Sequence, residues 1–156
     1  MSDAEFLREA IGIAAEGVRT GAGGPFGALV VSDGRVLGRG SNRVLVAHDP
    51  SAHAEIVAIR AACAALGDFS LAGCTLYASC EPCPMCLGAI HWARIARVVF
   101  ACDRREAARA GFDDELLHAQ FALPPGQRAL RLEQVELAGA QRPFELWLAK
   151  PERIPY

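Results

Sequence analysis

Two short stretches of the chain carry side chains that bind metal ions, and they most constrain how the rest can fold. The first contains His53 and, two residues later, the carboxylate of Glu55. The second contains two thiols three residues apart, Cys83 and Cys86. One imidazole and two thiols suit a zinc ion whose fourth position stays open for water. The sequence therefore predicts one Zn²⁺ per chain, held by His53, Cys83 and Cys86, with Glu55 as the catalytic group that moves protons between that water and a substrate.

The spacing within each stretch predicts that both sit at the beginning of a helix. Pro84 follows Cys83 directly and is favourable at the first helical position, where a backbone N–H has no partner to lose. Asp49 or Ser51 could cap a second helix with His53 in its first turn. On an ideal helix His53 and Glu55 point about 200° apart, so they can converge only at the helix mouth. Two helix N-termini are therefore expected to face one ion.

Other uses of the cysteines fit less well. Cys80, Cys83 and Cys86 could bind an iron–sulfur cluster or a four-sulfur structural zinc, but no fourth cysteine has a suitable spacing. We interpret Cys80 as a packing residue at the end of a strand, and Cys63, Cys74 and Cys102 as small buried hydrophobic residues. Six cysteines in a chain without a signal peptide indicate a reducing compartment, so a cytoplasmic protein is expected.

Length and charge exclude several classes of protein. The 156 residues suit one domain spanning 1–156. No apolar run approaches the ~18 residues that a membrane span needs. The net charge of −2 produces no overall field that would attract nucleic acid.

Periodicity and turn residues predict an α/β fold. A capping box, Ser2 to Glu5, begins the first helix. Asp33-Gly34 should form a two-residue hairpin turn between antiparallel strands over 26–32 and 35–40. A strand over 75–79, a helix over 84–93 and a strand over 97–101 form a crossover, so those two strands should be parallel. Further helices are expected over 104–109, 114–120 and from 142, the last with Phe144, Trp147 and Leu148 inward. A bulged fifth strand over 130–137 completes a mixed five-stranded sheet with helices on both faces.

With these motifs the chain resembles the cytidine-deaminase-like superfamily of zinc nucleobase deaminases. There the histidine of His-x-Glu and the two cysteines of Pro-Cys-x-x-Cys bind the zinc, and the glutamate transfers protons. Within it, the chain is most similar to bacterial guanine deaminases. The resemblance rests on motifs at residues 23–28, 49–55, 79–90, 92–94 and 110–114. It implies a three-layer α-β-α sandwich and hydrolytic removal of the 2-amino group of guanine, giving xanthine and ammonia.

A flat purine needs an apolar slot and partners for its polar edge. Phe26 and Trp92 could form the slot, with core packing as the alternative for both. Asn42 could offer one donor and one acceptor to the purine edge, with a turn as its alternative, and Ala54 is also expected to contact the substrate. By the resemblance, Asp114 would accept from the substrate or assist proton transfer; capping a helix is the alternative. The segment 151–156 would be a lid arm that brings Tyr156 to the substrate, in a homodimer with exchanged C-terminal arms; a free tail is the alternative.

Other functions remain open at this point. A tRNA adenosine deaminase shares the zinc motifs but needs a basic surface, for which the only candidate cluster is Arg94, Arg97, Arg104, Arg105 and Arg109. Guanosine, cytosine or another aminopurine could replace guanine as the substrate. A non-catalytic zinc module is a third possibility, but a closed structural site has no use for Glu55.

Overall fold

The middle layer of the molecule is a mixed sheet of four strands. The computed structural model describes all residues from 1 to 156. The strands are β1 (Gly27–Ser32), β2 (Arg35–Ser41), β3 (Thr75–Cys80) and β4 (Arg97–Cys102). They lie side by side in the order β2-β1-β3-β4. The helices are α1 (Asp3–Arg19), α2 (Val44–Ala47), α3 (Ala54–Leu66), α4 (Pro84–Trp92), α5 (Arg104–Arg109), α6 (Asp114–Ala122) and α7 (Arg142–Ala149), with a 3₁₀ turn at Pro125–Gln127.

The strand directions agree with the sequence patterns. Strands β1 and β2 pair antiparallel through the Asp33-Gly34 turn, where both residues have positive φ angles (47° and 76°). Such angles are those of the two-residue turns that match the twist of a hairpin. Strand β1 also pairs antiparallel with β3, and β3 pairs parallel with β4 across the α4 crossover. The predicted mixed α/β fold is confirmed.

Helices cover both faces of the sheet. On one face, Phe6 and Ala10 of α1 pack against Leu29, Val31 and Tyr77 of the strands. On the other face, the larger hydrophobic cluster joins α3 and α4 to the inward residues of β1 and β3. These two buried interfaces make the middle sheet the rigid base from which the helix N-termini project.

Glycines in β2 let α3 lie unusually close to the sheet. A Cβ atom on Gly40 would lie 2.0 Å from the carbonyl oxygen of Ala54, and one on Gly38 would lie 2.3 Å from that of Ala58. Contacts this short are sterically impossible, so only glycine permits the observed distance. The position of the first turn of α3 is therefore fixed by the backbone of β2.

The predicted fifth strand is wrong. The segment 131–137 pairs with no other strand, and its apolar residues are largely exposed: Leu130 71%, Leu132 61%, Val135 73% and Leu137 70%. Alternating apolar residues specify a strand with one buried face, but a strand also needs a neighbour that takes up its backbone hydrogen bonds. Within the single chain this segment has no such neighbour, and the outer edge of β4 stays unpaired.

Three other expectations about burial also need correction. Phe144, Trp147 and Leu148 of α7 were predicted to face inward but are 71%, 38% and 65% exposed, because α7 does not pack on the sheet. Cys102 is exposed and Cys63 is partly exposed, whereas Cys74 and Cys80 are buried. None of the helices is long and apolar enough to cross a membrane.

Candidate active site

Three donor atoms from two helix N-termini lie close together. His53 Nδ1 lies 3.6 Å from the sulfur of Cys83 and 3.6 Å from that of Cys86, and the two sulfurs are 3.8 Å apart. For a tetrahedral zinc ion, ordinary Zn–S and Zn–N bond lengths place two sulfurs ~3.8 Å apart and a sulfur and a nitrogen ~3.6 Å apart. The donor set and its spacing therefore fit one zinc ion.

Backbone conformation explains how these residues converge. His53 is the N-cap of α3, with an extended conformation (φ −67°, ψ 157°), and Cys83 is the N-cap of α4 with nearly the same angles (φ −67°, ψ 167°). Pro84 occupies the first turn of α4, as the sequence predicts. The expected first-turn position of His53 is wrong by one residue, since α3 begins at Ala54. As an N-cap, His53 projects beyond the helix mouth, toward the cysteines.

The three donor groups are so close that they shift one another's pKa values. The contact with Cys86, and next the one with His53, lower the pKa of the Cys83 thiol to about 4. The same contact raises the pKa of Cys86, because one proton is shared between two close sulfurs. Hydrogen bonding to Cys83 raises the pKa of His53. A bound doubly charged cation would replace the proton shared by the two sulfurs, so that both Cys83 and Cys86 could bind it as thiolates.

Glu55 lies in the first turn of α3 and is 6% exposed. Burial raises the pKa of its carboxyl, since a buried carboxylate loses its hydration. Glu55 also lines the cavity that opens above the donor atoms. A buried carboxyl with a raised pKa, facing a cavity beside a metal site, is the arrangement of a general acid–base group.

The cavity above these residues has a volume of about 420 Å³. Its polar wall consists of Asn42, His53, Glu55, Glu81, Cys83 and Asp114. Its apolar wall consists of Phe26, Val44, Leu45, Pro50 and Phe112. A flat heterocycle with a polar edge matches this division into an apolar and a polar side.

Asn42 is oriented by the backbone around it. Its Oδ1 accepts hydrogen bonds from the backbone N–H groups of Gly24 and Val44, each at 3.3 Å. The residue is 6% exposed and lines the cavity. A Cβ atom on Gly23 would lie 2.1 Å from the Asn42 carbonyl oxygen, so only glycine fits beside it. With Oδ1 occupied, the amide NH₂ is the group left for a ligand.

The aromatic wall contains a residue that the sequence patterns did not single out. The rings of Phe26 and Phe112 meet edge to face with centroids 4.7 Å apart. Phe112 follows Gly111, whose φ of 92° turns the chain between α5 and α6. Asp114 begins α6 nearby, and burial raises the pKa of its carboxyl. The only sequence signal for Phe112 was its place in the Gly-Phe-Asp-Asp motif.

Three residues expected to contact the substrate lie outside this cavity. Ala54, the first residue of α3, is fully buried in the core. Trp92 and Tyr156 are 61% and 66% exposed, and their rings pack on each other with centroids 5.8 Å apart. Together with Phe144 and Trp147 they line a separate surface groove. The single chain thus brings Phe26, Asn42, Glu55 and Asp114 to the metal ligands but leaves Trp92 and Tyr156 apart.

The family can be read from comparison with known proteins. Residues 1–102 match the model of the cytidine and deoxycytidylate deaminase zinc-binding region. The chain belongs to this deaminase family. All the proposed zinc ligands lie within the matched residues. The deaminase domain is also 51% identical, over 76 residues, to a tRNA-specific adenosine deaminase of Agrobacterium fabrum, covering 49% of this chain and 50% of that one.

One relative matches nearly the whole deaminase chain. Guanine deaminase of Bacillus subtilis is 48% identical over 147 residues, which cover 94% of each chain. A crystal structure of B. subtilis guanine deaminase superposes with a TM-score of 0.96 and 46% identity, covering 100% of this chain and 99% of that one. The resemblance to bacterial guanine deaminases inferred from the motifs is confirmed.

Proposed function

We propose that this chain is a zinc-dependent hydrolase that converts guanine to xanthine and ammonia. The observation that carries the proposal is the His53–Cys83–Cys86 triangle, with the buried carboxyl of Glu55 beside it at the floor of a cavity of purine size. The likeness to B. subtilis guanine deaminase extends over almost the full length, including the segments that surround this cavity.

Glu55 is the proton carrier in this proposal. When bound at His53, Cys83 and Cys86, zinc supplies the acidity that makes a water molecule nucleophilic near neutral pH. The Glu55 carboxylate accepts a proton from the attacking water and passes it to N3, the unprotonated ring nitrogen bonded to C2. It then accepts the proton of the added hydroxyl and passes it to the amine, which leaves as ammonia while the new C2 carbonyl forms. Its raised pKa suits both roles, because the group must take up and release a proton within one cycle.

The remaining polar groups orient the purine. Asn42 donates from its NH₂ group to an acceptor on the purine edge, since its oxygen is held by Gly24 and Val44. The sequence alone allowed the Asn42 amide to offer the purine both a donor and an acceptor. With its oxygen already bonded, only the NH₂ donor is available. Asp114 accepts from ring N–H or amino groups, and its raised pKa also allows it to assist proton transfer. Phe26, with Phe112, supports one face of the ring.

We also propose that two copies form a homodimer in which the C-terminal arms are exchanged. Every residue from 129 to 156 is exposed in the single chain. The exposed residues of segment 129–156 include large apolar side chains, namely Leu130, Leu132, Val135, Leu137, Phe144, Leu146, Trp147, Leu148, Ile154 and Tyr156. An exposed apolar surface of this extent is typical of a protein–protein interface. In this dimer, segment 130–137 of each copy would pair with the unpaired edge of β4 in the other copy. Residues 151–156 of each copy would then act as the lid arm over the cavity of the other.

Deletion of Ile154–Tyr156 tests the arm. If it closes the partner's cavity, the truncated enzyme should show a higher KM or a lower kcat for guanine with unchanged zinc content. Light scattering after size exclusion measures the dimer independently. Unchanged kinetic constants would refute the lid role, and a monomer at micromolar concentration would refute the exchange.

Substrate identity is tested by ammonia release from zinc-loaded protein supplied with guanine, guanosine, adenine, cytosine or a tRNA anticodon stem. Guanine should be the preferred substrate. The arginine cluster offers little to RNA, because Arg97 pairs with Asp3 at 3.0 Å and Arg104 pairs with Glu81 at 3.1 Å. Preferred release from the tRNA stem would overturn the proposal.

The six free cysteines favour a reducing compartment, which supports a cytoplasmic location.

A further inference from the structure

Glu81 lies between the metal ligands and the wall of the cavity that carries Phe112 and Asp114. It follows β3 directly and stands two residues before Cys83. Its backbone N–H donates to the carbonyl oxygen of Cys102 at 2.9 Å, which fixes it to the end of β4. Its carboxylate lines the cavity and is only partly exposed.

Both oxygens of the Glu81 carboxylate are held by one residue, Arg104. The backbone N–H of Arg104 donates to Oε2 at 3.1 Å, and the guanidinium Nη1 donates to Oε1 at 3.1 Å. Hydrogen bonds to an ionised carboxylate are stronger than neutral ones. This double contact joins the loop between β3 and α4, which carries Cys83, to the first residue of α5.

Helix α5 in turn determines where Phe112 lies. The backbone N–H of Phe112 donates to the carbonyl oxygen of Ala107 at 3.1 Å, and that of Gly111 donates to Ala108 at 3.0 Å. The chain from α5 to Asp114 is therefore a short, hydrogen-bonded connection. A displacement of α5 would move Phe112 and Asp114 with it.

Apolar packing does little to hold this part of the molecule. Ala107 is the only buried residue of α5, and α6 has none. Segments with few buried apolar contacts open at low free-energy cost. A polar contact at the start of α5 should thus have more influence here than an ion pair on a well-packed helix.

We infer that Arg104 is a positioning residue, which acts through Glu81 to hold Phe112 and Asp114 at the cavity. The inference rests on the proposed deaminase function, since it assigns Arg104 an effect on that reaction. Its structural part, the anchoring of α5, stands on the contacts alone.

The test compares Arg104→Met with Arg105→Met in zinc-loaded, full-length protein. Arg105 is the neighbouring exposed arginine, and only its backbone N–H makes a hydrogen bond, to Asp103. Amide hydrogen exchange over residues 104–114 should become about tenfold faster in Arg104→Met, as expected when one hydrogen bond to a charged group is lost. Arg105→Met should leave exchange unchanged. This measurement needs no substrate, so it can fail or succeed separately from the proposed function.

Kinetics then address the effect on the reaction. Arg104→Met should lower kcat per bound zinc about tenfold with unchanged zinc content, because small displacements of reacting groups are costly. Arg104→Lys should restore part of the rate. In an Asp114→Asn background the Arg104→Met effect should shrink, since both act on the same group. Equal exchange rates in the two arginine variants, or strictly additive effects with Asp114→Asn, would overturn the inference.

Discussion

The close approach of α3 to β2 leads to a prediction about the metal site from a residue that does not touch it. In Gly40→Ala the new Cβ would lie 2.0 Å from the Ala54 carbonyl oxygen and 2.6 Å from the Ala58 backbone nitrogen. Both neighbours are backbone atoms of α3, so no side chain can rotate away. An ordinary contact begins at 3.4 Å, which requires α3 and β2 to separate by up to about 1.4 Å (3.4 − 2.0).

The size of the effect follows from where this separation occurs. Ala54 lies between His53 and Glu55, so the displacement reaches a zinc ligand and the proposed proton carrier. Overpacking of this kind costs about 1–3 kcal/mol of unfolding free energy. A shift of about 1 Å in a reacting group can cost about 10²-fold in rate. We expect kcat/KM for guanine to fall by about 10²-fold, with weaker zinc retention.

Two glycine variants serve as controls, with zinc measured by elemental analysis and stability by urea unfolding. Gly12→Ala lies in α1 with no atom within 4 Å of the new Cβ and should be neutral or slightly stabilising. Gly38→Ala meets Ala58 one turn further along α3 and should lose similar stability with a smaller loss of rate. If Gly40→Ala retains normal stability, zinc and turnover, the reasoning from close packing is refuted.

Three further predictions concern the site itself. Glu55→Gln should keep zinc and fold but lower turnover by about 10²–10⁴-fold, the usual effect of losing a general acid–base group; near-normal turnover would exclude the proton-carrier role. His53→Ala, Cys83→Ala and Cys86→Ala should each lower bound zinc and the melting temperature without unfolding the domain, and full zinc occupancy in all of them would contradict the ligand assignment. Asn42→Asp keeps the oxygen that accepts from the backbone but removes the NH₂ donor, so KM for guanine should rise about tenfold or more, and the buried carboxyl should lower the free energy of unfolding. An unchanged KM would show that the amide NH₂ does not bind the purine.

The sequence alone was sufficient for features set by neighbouring residues. The hairpin at Asp33-Gly34 depends on two residues that accept positive φ angles. The capping box at Ser2 and Glu5 and the start of α4 at Pro84 depend on one turn of chain each. The metal donors were predictable for the same reason, since Cys83 and Cys86 lie in one helix terminus, His53 lies in another, and one imidazole with two thiols suits zinc.

Tertiary structure alone decided the features that need a distant partner. The segment 130–137 has the apolar alternation of a strand, but whether it pairs depends on which sheet edge it reaches, and within its own chain it pairs with none. Phe112 enters the cavity because α5 is held at Glu81, and the direction of the Asn42 amide is set by the N–H groups of Gly24 and of Val44 at the start of α2. Local patterns record which faces are apolar and where helices begin. The orientation of a side chain in a cavity depends instead on contacts between segments far apart in the chain, and these exist only once the fold has formed.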